Sequence, residues 1–293
     1  MRPPLVLLGT HRSGTTLLVR LLRALGLFVG ARLEANLEPW FFLRRNEWLL
    51  RRAGGAWDRP RPLRELLEDR EFFAAAVERF ASDVRGRAFR EFTGGDRGAL
   101  DGAWGWKDPR NVFTLDVWSA VFPGARAVHV TRHGVDVAAS LLERTTRARA
   151  RGDSVLRVWP LPNRIKAALS PYDFRNWYGQ SARCRTLEGS FELWEESVDE
   201  AARALDRHRA AGLETLELSF ESLVRAPADE LGRVARFAGI DASAEALERA
   251  TADVLAERGE AFRNDPRLVA FFETVRDRPA MRRRGVRPTE EEA

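Results

Sequence analysis

The sequence predicts an α/β protein with a central parallel sheet and helices on both faces. Three observations predict it. The apolar run Leu5-Val6-Leu7-Leu8 passes through the turn Gly9-Thr10-His11-Arg12-Ser13-Gly14-Thr15-Thr16 into the helix-patterned residues 17–22. Ala127-Val128-His129-Val130-Thr131 alternates β-branched residues and runs through Arg132-His133-Gly134 into a second helix carrying Val135, Val137, Ala138, Leu141 and Leu142. Leu213 to Leu218 reads as a further strand, followed by a helix over 227–239 that ends at Gly239. Strands separated by helices in this order pair in parallel.

The remaining elements follow from periodicity. Residues 36–52 set Trp40, Phe41, Phe42, Leu43, Trp48, Leu49 and Leu50 among arginines at helical spacing, and 63–92 carries Leu66, Leu67, Phe72, Phe73, Val77 and Phe80 on one side. Both read as amphipathic helices. Trp104 to Pro109 is a short aromatic segment ended by proline, and 112–122 is a helix before the turn Pro123-Gly124. Residues 151–189 are rich in Arg, Pro, Gly and Ser with little periodicity, and 145–190 is expected to be an insertion or lid. Residues 190–211 read as a helix, and 286–293, with Glu290, Glu291 and Glu292, as a disordered tail.

At 293 residues and 44% hydrophobic the chain can bury one full core, and a single domain over 1–293 is expected. Cys184 is the only cysteine, so no intrachain disulfide can form. No apolar run approaches the roughly 18 residues of a membrane span, and no basic leader with an apolar stretch and cleavage site opens the chain. A soluble, cytoplasmic protein is the expectation. The net charge is +5, with no long basic block or aromatic-basic repeat, so nucleic acid is not an expected partner. Four histidines and one cysteine without close spacing offer no metal cluster.

The turn over 9–16 points backbone N–H groups at one spot before a helix N-terminus, where the dipole favours an anion. It departs from the nucleoside triphosphatase pattern G-x-x-x-x-G-K-[ST] at Thr15, which stands in place of the lysine. The cation lies instead at Arg12, beside the anion. One phosphate plus one further charged group suits this turn better than a triphosphate with magnesium. At the second strand-to-helix switch, Arg132, Ser140 and Arg144 can face the carboxyl edge of the sheet as a fork for a second phosphate. Among 48 basic residues only Lys107 and Lys166 are lysines. In such a chain a retained lysine points to a need for its compact ammonium group.

These motifs resemble the sulfotransferases that use 3′-phosphoadenosine 5′-phosphosulfate (PAPS), over Leu5 to about Ile240 with a gap across 145–190. Thr10 to Thr16 is similar to that family's 5′-phosphosulfate loop, and Arg132 through Ser140 to its 3′-phosphate motif with the same eight-residue spacing. Ser219-Phe220-Glu221-Ser222-Leu223 followed by Phe237-Ala238-Gly239-Ile240 is similar to its tyrosine-Glu-Asp-Leu segment and the next helix. The tyrosylprotein branch shares the Arg-Ser-Gly-Thr-Thr run, a Lys-Asp-Pro segment and an arginine four residues after the serine. The resemblance implies a P-loop-like fold. It also implies a cofactor site formed by Arg12, Ser13, Gly14, Thr15, Thr16, Arg132, Ser140, Arg144 and Phe220. Arg12 would neutralise the sulfuryl group in transit and Lys107 the charge on the bridging oxygen.

For the general base the tyrosylprotein branch implies a glutamate about twenty residues after the loop arginine. Glu34, twenty-two residues on, ranks slightly above Glu38. The cytosolic branch implies a histidine, for which His129 and His133 are the nearby candidates, while His11 shapes the loop or faces the acceptor. Leu17 stands where the cytosolic branch has tryptophan, and Phe220 replaces a tyrosine. Arg282-Arg283-Arg284-Gly285 resembles a 3′-phosphate element but lacks its continuation, and a solvated basic tail is the equal alternative.

The implied reaction is sulfuryl transfer from PAPS to a hydroxyl, less readily an amine, releasing adenosine 3′,5′-bisphosphate without a metal. A small-molecule kinase on the same loop, or an inactive bisphosphate-binding relative, is the alternative. The aromatic segment 36–57 and the stretch 145–180 are candidates to line a pocket for a small-molecule, glycan or lipid acceptor. Oligomeric state, a homodimer included, is not legible.

Overall fold

The computed structural model describes residues 1–150 and 181–283. Four parallel strands form the sheet in the order β2-β1-β3-β4: β1 Leu5–Leu8, β2 Gly105–Lys107, β3 Arg126–Thr131 and β4 Thr215–Ser219. Strands buried on both faces read as continuous apolar runs, as β1 does. Val6 and Leu8 of β1, Trp106 of β2 and Ala127 of β3 face one core. It is completed by α2 (Trp40–Arg52), α4 (Arg70–Arg85), α6 (Asn111–Val121) and the second half of α8 (Leu187–Ala210). Leu5, Leu7, Val128 and Val130 face the opposite core with α1 (Thr15–Ala24) and α10 (Pro227–Phe237). A third cluster joins α7 (Gly134–Ala150), the first half of α8 and α12 (Pro266–Val275) through Val135, Trp194 and Phe271.

Three of the four aromatic residues of α2 are core rather than pocket. Phe41 and Phe42 are fully buried, and Phe42 stacks on Trp106 with ring centroids 3.8 Å apart. Trp48 packs against the same cluster, so of the aromatic segment over 36–57 these three do not serve an acceptor.

Several boundaries differ from the sequence reading, and the helix expected over 36–52 starts only at Trp40, after Pro39. The periodic stretch 63–92 is broken into α3 (Arg61–Leu67), α4 and α5 (Arg90–Thr93). Asp69 stops the first by capping the second, its carboxylate accepting from the Phe72 amide at 2.8 Å, and Gly86 adopts an extended conformation after α4. β2 went unread because it has three residues. Gly105 is its signature: a Cβ there would lie 2.1 Å from the Leu5 carbonyl oxygen, so only glycine lets β2 lie against β1. β4 begins at Thr215 rather than 213, because Gly212 closes α8 in the left-handed region at φ 76° and the Leu213 amide returns to the His208 carbonyl.

Of the expected insertion, residues 145–150 continue α7 and 187–190 begin α8; residues 151–180 and the tail 286–293 lie outside the described residues. Besides α10 and α12, the described residues after β4 form α9 (Phe220–Arg225), α11 (Ala244–Thr251) and α13 (Pro279–Arg283). No helix among the described residues is long and apolar enough to cross a membrane.

Candidate active site

The chain leaves β1, β2 and β3 at the same edge of the sheet, where open parallel sheets bind ligands. The three exits line one cleft of about 650 Å³. After β1 the backbone turns through the left-handed region at Arg12 (φ 73°) and again at Gly14 (φ 96°). Gly14 is doubly required, because a Cβ there would also strike the Phe220 ring at 2.3 Å. No side chain caps α1, which leaves its leading amides to an external anion.

Lys107 ends β2 with 1% of its surface exposed. Its Nζ donates to Thr16 Oγ1 at 3.2 Å and to Glu38 Oε1 at 3.0 Å. No lysine follows Gly14 in the turn, and Lys107 reaches it at Thr16 from the neighbouring strand. Beneath it, Arg110 pairs with Asp108, with Glu47 at 3.2 Å and with Glu38 at 3.6 Å. Burial opposes the charge of Arg110, but Asp108, Glu38 and Glu47 outweigh it and raise its pKa above the ordinary value. Asn46 of α2 ties this layer to α6, donating to Asp108 and Asn111, both at 2.9 Å, and accepting from Trp118 Nε1 at 2.7 Å. A rigid, fully buried floor thereby fixes Lys107 and Glu38.

From β3 and α7 come Arg132, Ser140 and Arg144. Arg132 donates to the Arg12 and Arg258 carbonyls, both at 3.3 Å, and stands 3.6 Å from Asp136. Its guanidinium lies 4.4 Å from the Phe220 ring centroid, so that ring face is already covered. Ser140 Oγ accepts from Arg12 Nε at 2.8 Å. Arg144 lies over Trp57, 4.9 Å from the ring centroid, and its Nε and Nη2 have no hydrogen-bond partner among the described residues. Burial lowers its pKa to about 10, which leaves it charged at neutral pH.

Glu34 and Glu38 occupy one loop of the cleft wall. Glu34 accepts from the Asn36 backbone amide, from Asn36 Nδ2 at 3.1 Å and from the Glu38 amide at 3.3 Å. Glu38 is buried against its two cations. Of the candidate histidines only His11 lines the cleft. His129 points off the sheet 3.6 Å from Glu217, and His133 stacks on Phe262 with ring centroids 4.2 Å apart. Trp57 reaches the site indirectly, edge-on to His11 at 4.7 Å. Arg282 pairs with Asp277 at 3.0 Å, while Arg284 and Gly285 lie outside the described residues. Sequence reasoning missed Asp253, Val254, Leu255 and Arg258, which form the wall beyond Phe220 and belong to no motif.

Burial, then the charges of Arg144, Arg110, Lys107 and Arg12, hold the His11 pKa well below the ordinary histidine value. The unfolded chain therefore binds a proton at His11 that the folded chain refuses, and this part of the stability is present above about pH 6.5 and lost as pH falls toward the folded pKa. Urea unfolding at pH 7 and pH 5 checks it. His11→Gln is expected to lose less stability over that interval than the wild type, and an identical loss would contradict it.

A sequence model of the sulfotransferase family matches residues 3–159. The chain is similar in structure to a sulfotransferase from Mycobacterium tuberculosis H37Rv, at 17% identity and TM-score 0.45 over 86% of this chain and 71% of that one. It is also similar to the sulfotransferase domain from the curacin biosynthetic pathway, at 15% and 0.48 over 97% and 96%. A third is the sulfotransferase domain of the Synechococcus PCC 7002 olefin synthase, at 21% and 0.45 over 93% and 88%. No curated protein matches it in sequence. The family match takes in more than half of the chain, with the phosphate loop, Lys107 and the Arg132 to Arg144 stretch all inside it, and the chain belongs to the sulfotransferase family.

Proposed function

We propose that the protein transfers the sulfuryl group of PAPS to an acceptor hydroxyl and releases adenosine 3′,5′-bisphosphate. The observation that carries this reading is the placement of Lys107 beside Thr16, at the mouth of a loop that carries Arg12 in place of a triphosphatase lysine. Arg144, with two nitrogens lacking a partner in the cleft, and the uncapped start of α1 fit a ligand with two separate anionic groups. PAPS supplies a sulfuryl group activated by a phosphate leaving group, and a 3′-phosphate as handle.

In this reading Ser13, Gly14, Thr15 and Thr16 hold the 5′-phosphate largely through main-chain amides. Arg132, Ser140 and Arg144 hold the 3′-phosphate, and Phe220 borders the base by its free edge. Arg12 bridges the two anion sites through its bond to Ser140 and neutralises the group in flight. Lys107 stabilises the charge gathering on the leaving oxygen. Catalysis is then chiefly positioning and electrostatics, as in phosphoryl transfer.

The general base in this reading is Glu34. Glu38 is clasped between Lys107 and Arg110, and its task is to position the lysine. Two variants separate the roles. Glu34→Gln is expected to lower kcat about 10²–10⁴-fold with stability and bisphosphate affinity unchanged. Glu38→Gln strips a carboxylate from two buried cations and is expected to cost roughly 3–5 kcal/mol of stability in urea unfolding. Near-normal kcat in Glu34→Gln would move the base to Glu38 or His11.

A further inference from the structure

Resting on the reading of Arg144 as a ligand of the 3′-phosphate, we propose that Trp57 is a positioning residue, an indole shelf that holds the Arg144 guanidinium toward the cleft without neutralising it. Trp57 is 4% exposed and does not itself line the cleft. Whatever it does for a ligand it does through its neighbours.

A turn beyond α2 carries the shelf. After Arg52 the chain folds back over 56–59, where the Ala56 amide donates to the Arg59 carbonyl at 3.1 Å and the Arg59 amide to the Ala56 carbonyl at 2.9 Å. Arg183 then pins the turn to α8, donating to the Asp58 carbonyl at 3.0 Å and to Glu196 at 2.6 Å. The indole enters the third core cluster with Val137 and Leu141 of α7 and with Cys184. Its place is therefore fixed from three elements before any ligand arrives.

Arg144, on the turn of α7 after Ser140, lies with its guanidinium 4.9 Å from the centroid of that ring. A cation drawn out of water is usually held by a carboxylate. Arg132 stands 3.6 Å from Asp136 and Arg110 pairs with Asp108, whereas Arg144 makes no ion pair among the described residues. Cys184 nearby brings no negative charge, because burial pushes its thiol up and keeps it protonated. A carboxylate would cancel part of the charge on which an incoming phosphate depends. The face of an indole attracts a guanidinium through its quadrupole and adds no net charge. Support of this kind leaves Nε and Nη2 without a hydrogen-bond partner among the described residues, and these two nitrogens form one edge of the fork that grips a phosphate bidentately.

The same indole touches the phosphate loop. His11 meets it edge-on, with ring centroids 4.7 Å apart and planes at 70°. Trp57 thus contacts one residue from each of the two proposed anion sites and holds them in register.

Calorimetry on the full chain in metal-free buffer tests this through a ratio, the affinity for adenosine 3′,5′-bisphosphate over that for adenosine 5′-monophosphate, which reads the 3′-phosphate alone. Trp57→Leu keeps an apolar filler without a π-face and is expected to lower the ratio roughly tenfold, and Trp57→Phe to lower it less. In an Arg144→Ala background neither is expected to change it further. A general loosening of the core would weaken both nucleotides alike and leave the ratio intact. An unchanged ratio in Trp57→Leu, or equal losses with and without Arg144, would overturn the proposal; if Trp57→Leu does not fold, Trp57→Phe in both backgrounds carries the same test. A wild-type ratio near one, or one that Arg144→Ala leaves intact, would instead overturn the placement of the 3′-phosphate, and the shelf with it.

Discussion

Arg12→Ala is expected to lower turnover by about 10³–10⁵-fold, the scale on which a single arginine stabilises a transferring phosphoryl group. In the proposed reading the effect is large because Arg12 joins the 5′-phosphate and 3′-phosphate sites, its Nε bonded to Ser140 and its carbonyl to Arg132. Its side chain is exposed, so truncation leaves no buried cavity, and the urea midpoint is expected to stay unchanged. Arg12 also holds a positive φ, at which alanine and arginine meet the same Cβ restriction. A lysine in its place restores charge without the planar fork and is expected to recover only part of the loss. Steady-state kinetics over the three forms checks the series, and near-normal kcat in Arg12→Ala would remove Arg12 from the mechanism.

Lys107→Ala is expected to lower kcat by about 10²–10³-fold, as removal of one preorganised donor does. It carries a second consequence that Arg12→Ala lacks. Glu38 loses its 3.0 Å partner and keeps only Arg110 at 3.6 Å, so the buried carboxylate is under-compensated and the protein is destabilised. Lys107→Ala with Glu38→Ala removes both charges and is expected to recover stability but not activity, which distinguishes loss of the donor from loss of the floor. Lys107→Arg is expected to fail as well, because a planar guanidinium does not reproduce the compact ammonium that donates to both Thr16 and Glu38. Full activity in Lys107→Ala would contradict its role.

What the sequence disclosed depended on how local each signal was. The strand, turn and helix over residues 5–24 were legible because they are adjacent in sequence and each has its own pattern. The Arg132 to Arg144 motif was legible for the same reason, lying at a strand end and on successive helical turns. Lys107 stood out by composition, but its strand did not, because three residues give no period and the glycine that permits the pairing looks like a turn. The stretch 63–92 kept a helical period across Asp69, where a local side-chain bond, invisible to periodicity, starts a new helix. Glu34 and Glu38 are neighbours in sequence, and only tertiary partners divide them: one holds a loop, the other is clasped by Lys107 of β2 and by Arg110 just before α6. Asp253 to Arg258 reach the cleft by packing alone, which no spacing announces.

The most direct measurement is calorimetric titration of the purified protein with adenosine 3′,5′-bisphosphate, against ATP with magnesium. Tight binding of the bisphosphate that is indifferent to metal and weakened by Arg132→Ala is the predicted result. Preference for ATP with magnesium would contradict it and turn the same loop into that of a kinase.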